Sequence, residues 1–246
     1  DHNSIFYMAS GKAAACKNIE RGIFMIEIRN LTKQFGKQML FHDFNLKIED
    51  GEFVVVMGKS GCGKTTLLNM IGGIEAYDSG VIAVDGSVVG KRNTQLNYFR
   101  QTVGFLFQNF ALVEQKTVKQ NLEMIKPRYR TGCTMEEALE RVGLADKTEE
   151  KVYRLSGGEQ QRVALARLML KKCSVVLADE PTGALDSKSG KQVLELFDML
   201  NESGVTIVMI THDRKVAERA KRIVHIIDGE ISEEGQEVKH EEEKGN

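Results

Sequence analysis

The pattern of apolar and polar positions changes along the chain. Near its start, apolar residues alternate with polar ones at Ile26 and Ile28 and again at Phe44, Leu46 and Ile48. Such alternation is typical of strands with one buried and one exposed face. Residues 49–51, Glu-Asp-Gly, predict a hairpin-type turn that leads into the strand at 53–57. The first part of the chain is therefore predicted to form short antiparallel strands.

Further along, the apolar residues come in continuous runs. The runs cover residues 53–57, 103–107, 175–178, 205–210 and 223–227, and stretches with helical patterning lie between most of them. Strands that are apolar throughout are typical of a mostly parallel sheet whose two faces are covered by helices. The predicted fold class is α/β.

Between residues 109 and 154 the strand pattern disappears. Thr134 and Glu137 have the spacing of a capping box, the apolar residues after them fall on one helical face, and Gly143 ends the pattern. We predict a helical insertion here, within a domain that covers residues 25–234. Residues 1–24 lack periodicity and are expected to be a leader or an added segment. Residues 235–246 are polar and rich in Glu, which predicts a flexible tail.

Composition and charge exclude several classes of protein. The 246 residues are 41% hydrophobic, with 34 Lys and Arg against 35 Asp and Glu, so the net charge of −1 gives no support for a nucleic-acid partner. The four cysteines form no CxxC pair, which speaks against a structural zinc site and favours a reducing setting. No run reaches the roughly 18 apolar residues of a membrane span.

A phosphate-binding loop is the most specific motif. Residues 58–65, GKSGCGKT, match G-x-x-x-x-G-K-[ST] in full and lie between the strand at 53–57 and a helical stretch at 65–71. The glycines let the backbone wrap around phosphate oxygens, Lys64 adds charge at the β and γ phosphates, and Thr65 supplies a hydroxyl for Mg²⁺. The predicted nucleotide-binding residues in this region are Gly58, Lys59, Ser60, Gly61, Cys62, Gly63, Lys64, Thr65 and Thr66.

Two adjacent carboxylates end the strand at 175–178. Burial of Asp179 and Glu180 is costly unless a cation and a proton transfer require them. An acidic pair at the end of a strand is, by itself, more often a solvated turn. Its occurrence together with the phosphate-binding loop favours a role in metal binding and catalysis. We assign Asp179 to the metal shell, through water, and Glu180 to deprotonation of the attacking water.

A second helix start has the features of an anion site. In the string LSGGEQQR at 155–162, Ser156 and Glu159 form a capping box ahead of a helix that is predicted to run to about Lys172. Gly157 and Gly158 are poor helix formers, and the close approach of a phosphate explains them. The residues alone leave two arrangements open, which are two ligands, or one ligand held by two copies of the chain.

Together these residues resemble the ATP-binding cassette ATPases, the nucleotide-binding subunits of ABC transporters, over about residues 25–235. The string at 155–162 ahead of the strand VVLADEPT at 175–182 carries the resemblance. It implies a P-loop NTPase with a RecA-like core, an N-terminal antiparallel β subdomain and an inserted α-helical subdomain. It also implies that ATP and Mg²⁺ bind, and that two copies form a head-to-tail homodimer in which each completes the ATP site of the other.

The resemblance assigns further roles. Phe35 matches the aromatic residue that stacks on adenine, and Gln108 the glutamine that reaches Mg²⁺ and the attacking water. His212 matches the histidine that contacts the γ-phosphate and supports Glu180, and Asp186 the loop that crosses to the partner. The implied sites are catalytic (Glu180, His212, Gln108, Lys64), partner-facing (Ser156, Gly157, Gly158, Glu159, Asp186) and metal-binding (Thr65, Gln108, Asp179).

Within that family, the motifs are most similar to the lipoprotein-release, macrolide-export and peptide-antibiotic export subgroup. This implies an ATPase at the cytoplasmic face of the membrane that drives a separate permease docked on the helical insertion. The alternative is a cell-division regulator with a similar cassette that signals without transport. A soluble cassette protein of translation or DNA repair fits poorly because tandem cassettes or a long coiled coil are missing from this sequence, and a GTPase because no N-K-x-D motif is present.

Overall fold

The computed structural model describes residues 24–90, 98–183, 185, 187–227 and 229–234. The predicted leader up to residue 23, the predicted tail at 235–246 and Asp186 lie outside these residues. Phe24, which the sequence analysis assigns to the leader, begins the first strand and pairs with Glu49.

The first sheet is antiparallel and contains four described strands. Their bounds are β1 (Phe24–Phe35), β2 (Gln38–Glu49), β4 (Ser79–Val84) and β5 (Ser87–Val88), in the order β2-β1-β4-β5. Alternation along β2 buries Phe44, Leu46 and Ile48 and exposes the residues between them. This confirms the predicted antiparallel β portion, but β1 and β2 have 12 residues each and are not short.

The second sheet is mostly parallel and carries the continuous apolar runs. Its described strands are β3 (Phe53–Gly58), β6 (Val103–Leu106), β7 (Val175–Asp179), β8 (Thr206–Ile210), β9 (Arg222–Ile227) and β10 (Glu230–Glu234), in the order β10-β9-β3-β8-β7-β6. Only the pair β9 and β10 is antiparallel. The predicted α/β class is confirmed.

One predicted connection is wrong. The turn at residues 49–51 was expected to form a hairpin between the strands on either side, but β2 pairs with β1 and β3 pairs with β8 and β9 in the other sheet. The physical reason is burial, because β3 is apolar on both faces whereas β2 has one polar face. The turn therefore links two sheets.

Helices cover both faces of the second sheet. The helices are α1 (Lys64–Ile71), α2 (Val118–Glu123), α3 (Met135–Arg141), α4 (Gly157–Leu170), α5 (Ser187–Glu202) and α6 (Arg214–Ala217). On β3, Val54 and Val56 pack in a core with α1 and the first sheet, while Phe53 and Val55 pack in a core with α4 and α5. Helices α1 and α4 thus lie on opposite faces of the sheet.

The described chain between β6 and α4 is built from short helical pieces. Helices α2 and α3 alternate with 3-10 turns at Pro127–Tyr129, Ala145–Lys147 and Val152–Arg154. Thr134 and Glu137 form the predicted capping box, and Gly143 follows the helix with a φ of +67°. Both α2 and α3 pack on α4. Helix α4 ends at Leu170, two residues before the predicted end.

Candidate functional site

The loop at residues 58–63 wraps tightly at the end of β3. Gly58, Gly61 and Gly63 have φ angles of +151°, +81° and +101°, which side chains rarely adopt. A Cβ on Gly58 would lie 2.5 Å from the carbonyl oxygen of Ile226, so space also requires glycine there. The backbone thus curls before it enters α1, as the phosphate-binding motif predicts. Lys59 and Ser60 are exposed in the loop, and Thr66 is half-buried in α1.

Lys64 lies at the start of α1, and its side chain turns back over the loop. Its Nζ donates to the carbonyl oxygens of Gly58 (2.8 Å) and Lys59 (2.9 Å) and lies 3.9 Å from Sγ of Cys62. The ammonium group is therefore held over the loop at the N-terminus of α1. Its charge and the partial positive charge of the helix N-terminus both favour binding of an anion there.

Thr65 joins the loop to the end of β7. Its hydroxyl donates a 2.9 Å hydrogen bond to Oδ2 of Asp179, which is 9% exposed. Burial raises the pKa of Asp179, and the bond from Thr65 opposes this rise. A hydroxyl and a carboxylate so close together form the hard oxygen set that Mg²⁺ prefers.

Glu180 follows Asp179 with a backbone that is unusual for a side chain of its size. Its φ is +47°, and its N–H donates to the carbonyl oxygen of Ile210 on β8 (2.9 Å). Non-glycine residues in this region cost free energy and are often found at functional sites. The carboxylate reaches His212, whose Nδ1 is 2.9 Å from Oε1 of Glu180. The structure thus brings together two residues that the sequence placed after different strands.

The Glu180 contact raises the pKa of His212 above its ordinary 6.5, because the carboxylate favours the imidazolium. The paired form therefore stabilises the folded chain below pH 6.5, and this contribution disappears as the pH rises through the raised pKa. We expect an NMR titration to give His212 a pKa above 6.5 and to move it towards 6.5 in Glu180→Gln. An unchanged pKa in that variant would contradict the pairing.

Gln108 lies in the exposed turn after β6. Phe110 and Ala111, which follow it, have φ angles of +60° and +45°. Arg167 of α4 donates to the carbonyl oxygens of Phe110 (2.9 Å) and Ala111 (2.6 Å). Two hydrogen bonds from Arg167 therefore connect the strained turn after Gln108 to α4. This contact was not predicted from the sequence.

The ends of β3, β8, β7 and β6 lie side by side in the sheet. In that order, they are followed by the phosphate loop, His212, the Asp179–Glu180 pair and Gln108. Because carboxyl ends of parallel strands share one edge of a sheet, all four groups lie along the edge where α/β folds bind ligands.

Phe35, the predicted adenine partner, is the last residue of β1. It is 49% exposed, and Nζ of Lys33 lies 4.3 Å from its ring centroid. Lys33 is in turn fixed by an ion pair with Glu75 (2.6 Å). The exposed part of the ring is available for stacking.

The start of α4 carries the predicted capping box. The N–H of Glu159 donates to Oγ of Ser156 (3.3 Å), and the Glu159 carboxylate accepts from the N–H (2.8 Å) and the hydroxyl (2.9 Å) of Ser156. A Cβ on Gly157 would meet nothing within 4 Å, and one on Gly158 would touch Leu185 at 3.3 Å. No packing within the described chain explains Gly157.

A cavity of about 330 Å³ lies between β6, α4 and the helical pieces that precede α4. Its lining contains the cations Arg100, Lys126, Arg167 and Lys171 and the stacked rings of Phe105 and Phe107, and none of the described residues that line it is acidic. The predictions from the sequence did not include this cavity. The available signals were the four-residue spacing between Arg167 on α4 and Lys171 directly after it, and the alternation of Phe105 and Phe107.

The sequence and the fold were compared with those of known proteins. The model of the family described as ABC transporter matches residues 41–183. The macrolide export ATP-binding/permease protein MacB of Campylobacter jejuni is 41% identical over 227 residues, which are 89% of this chain and 35% of MacB. The chain thus spans about a third of the length of that relative.

Two further proteins are similar over nearly their whole length. The glutamine transport ATP-binding protein GlnQ of Bacillus subtilis is 42% identical over 218 residues, covering 85% of this chain and 90% of GlnQ. A dimeric structure of the ATP-binding cassette MJ0796, in a post-hydrolysis state with ADP and Pi, has a TM-score of 0.77 and 36% identity. That match covers 85% of this chain and 98% of the other.

None of the helices in the described residues has the length and apolar composition to span a bilayer.

Proposed function

The chain belongs to the ABC transporter family, and from this premise we propose that it is the ATP-hydrolysing subunit of an exporter, acting as a homodimer on a separate membrane permease. The observation that carries the ATP-hydrolysing role is the row of groups on one sheet edge: Lys64 and Thr65, the Asp179–Glu180 pair, and His212. These are the parts that phosphoryl transfer from ATP to water requires. The similarity to the macrolide export protein MacB supports the exporter.

The donor set at Thr65 and Asp179 fits Mg²⁺. The two side chains meet at 2.9 Å, and a cation would offset the burial of the carboxylate. With Gln108, they are the residues that would hold the ion, which when bound neutralises charge on the β and γ phosphates.

The chain's own groups account for the hydrolytic step. Lys64 binds the β and γ phosphates, and Glu180 accepts a proton from the water whose oxygen attacks the γ-phosphorus. As that bond forms, the bond from the γ-phosphorus to the bridging oxygen breaks, and ADP leaves with the electron pair. His212 orients the Glu180 carboxylate through the 2.9 Å contact.

The positions of the two helix starts favour a dimer. Helices α1 and α4 pack on opposite faces of the second sheet, so their N-termini are separated by the sheet within one chain. This placement favours the arrangement in which one triphosphate is held by helix starts of two different copies. In a head-to-tail pair, the residues at 156–158 of each copy face the phosphate loop of the other. Exposed Gly157 leaves room for a phosphate.

The cavity beside the helical insertion supplies a docking surface for the permease. The four cations and the stacked rings of Phe105 and Phe107 in its lining favour a partner segment with acidic and apolar side chains. Such docking would hold the chain at the cytoplasmic face of the membrane. ATP-driven closure then moves the permease.

The test is transport in cells that carry the chain and its candidate permease. We expect efflux of substrate that Glu180→Gln abolishes, and we expect Lys126→Glu to reduce co-purification with the permease because it reverses a charge of the docking cavity. Lys116→Glu, an exposed lysine that does not line the cavity, is the matched control. Uptake instead of efflux, or a permease that responds to ATP without moving substrate as in the cell-division alternative, would contradict the exporter.

A further inference from the structure

Lys147 contacts the start of α4 although it belongs to the helical insertion. It ends the 3-10 turn Ala145–Lys147, and its Nζ lies 3.0 Å from Oε1 of Glu159. The side chains of Lys147 and Glu159 are 37% and 20% exposed, so solvent reaches this pair only in part. No step proposed above uses Lys147.

The other carboxylate oxygen of Glu159 is engaged by Ser156. Oε2 accepts from the N–H (2.8 Å) and from the hydroxyl (2.9 Å) of that residue. The bond from the Ser156 backbone, followed by the contact with Lys147, lowers the pKa of Glu159 to about 2. The carboxylate is therefore ionised at neutral pH. A negative charge thus lies at the helix start that, in the proposed dimer, receives the triphosphate of the opposite copy.

The cap itself does not need this charge. A glutamine serves in the same position of a capping box, as Gln120 does opposite Thr117 at the start of α2. A carboxylate repels a triphosphate, and it also takes the single hydroxyl hydrogen of Ser156 that a phosphate oxygen would accept. A cation bound to the carboxylate reduces both its repulsion of the triphosphate and its hold on the Ser156 hydroxyl hydrogen.

We infer that Lys147 is a positioning residue for ATP-driven closure: by neutralising Glu159, it keeps the helix start at residues 156–158 able to accept the triphosphate of the opposite copy. The inference rests on the proposed function, in which that helix start completes the nucleotide site of the second copy. It adds a residue of the helical insertion to the control of the ATP interface.

The experiment measures dimer formation by sedimentation as ATP–Mg²⁺ is added, with Glu180→Gln as the parent so that hydrolysis does not disturb the equilibrium. Lys147→Gln is expected to raise the ATP concentration at half-dimerisation at least about 5-fold, because charge pairs enclosed in an interface count for more than exposed ones. Addition of Glu159→Gln is expected to restore dimerisation, and Lys147→Arg to preserve it. The melting temperature of the monomer should change little.

The matched control is Lys119→Gln, since Lys119 is a half-exposed lysine of the same insertion with its own glutamate partner, Glu149, at 3.6 Å. It should dimerise like the parent. A parent that forms no dimer overturns the proposed function and the inference together. A parent dimer that is insensitive to Lys147→Gln overturns the inference alone. So does a defect that Glu159→Gln fails to repair, since Lys147 would then only support the fold.

Discussion

Replacement of Glu180 by Gln is expected to lower ATP turnover by about 10² to 10⁴-fold, the range for loss of a general base. The amide has the size of the carboxylate and can still bond to His212, so ATP binding should persist. Because hydrolysis stalls while binding continues, a dimer with bound ATP should accumulate. Turnover is measured by phosphate release, and the dimer by sedimentation.

The control for this variant is Glu202→Gln, which removes an exposed carboxylate from the last residue of α5, at the amino end of β8 and therefore at the opposite edge of the sheet from the candidate site. It should hydrolyse ATP like the parent. Parental turnover in Glu180→Gln would mean that another group takes the proton from water. Loss of ATP binding in that variant would instead make Glu180 a structural residue of the strained turn.

Arg167→Met is expected to lower stability by about 2 to 4 kcal/mol, because the carbonyl oxygens of Phe110 and Ala111 both lose a charged donor. It should also lower turnover beyond what the loss of folded protein explains. The reason is that the strained turn after Gln108 is fastened to α4 through these two bonds, and it can relax without them. Urea unfolding measures the first effect, and kcat per folded molecule the second.

Lys171→Met is the matched control. Lys171 directly follows the last residue of α4, lines the same cavity and donates to the carbonyl oxygens of Phe99 and Val103 ahead of and within β6. Its removal also leaves carbonyl groups without a donor, yet it does not touch the turn after Gln108. Equal losses of kcat in the two variants would contradict a specific link between Arg167 and that turn.

The strands of the parallel sheet could be predicted because burial on both faces leaves a continuous apolar run. In β3, β7 and β8 every residue is buried from Phe53 to Val56, in Val175–Asp179 and in Thr206–Ile210, and all of these residues except Asp179 and Thr206 are apolar. The turn at 49–51 was misinterpreted because local turn chemistry does not say which sheet receives the next strand. That choice depends on the long-range pairing of β3 with β8 and β9.

The main residues of the candidate site are recognisable in sequence because phosphate loops and capping boxes are local patterns. Glycines, Lys64 and Thr65 stand within eight residues, and Ser156 and Glu159 within four. Arg167 and Lys147 escaped detection because each acts through partners in another element: Arg167 on the turn after β6, and Lys147 from a 3-10 turn that precedes α4. Isolated basic residues are common on surfaces, so only the folded contacts single these two out.

The central claim is that ATP is held between two copies of the chain, and a crystal structure of Glu180→Gln with ATP and Mg²⁺ tests it most directly. The account predicts a γ-phosphate within hydrogen-bond distance of Lys64 in one protomer and of Ser156 of the partner subunit. A nucleotide bound by Lys64 alone, with the helix start at residues 156–158 open to solvent in both copies, would contradict it.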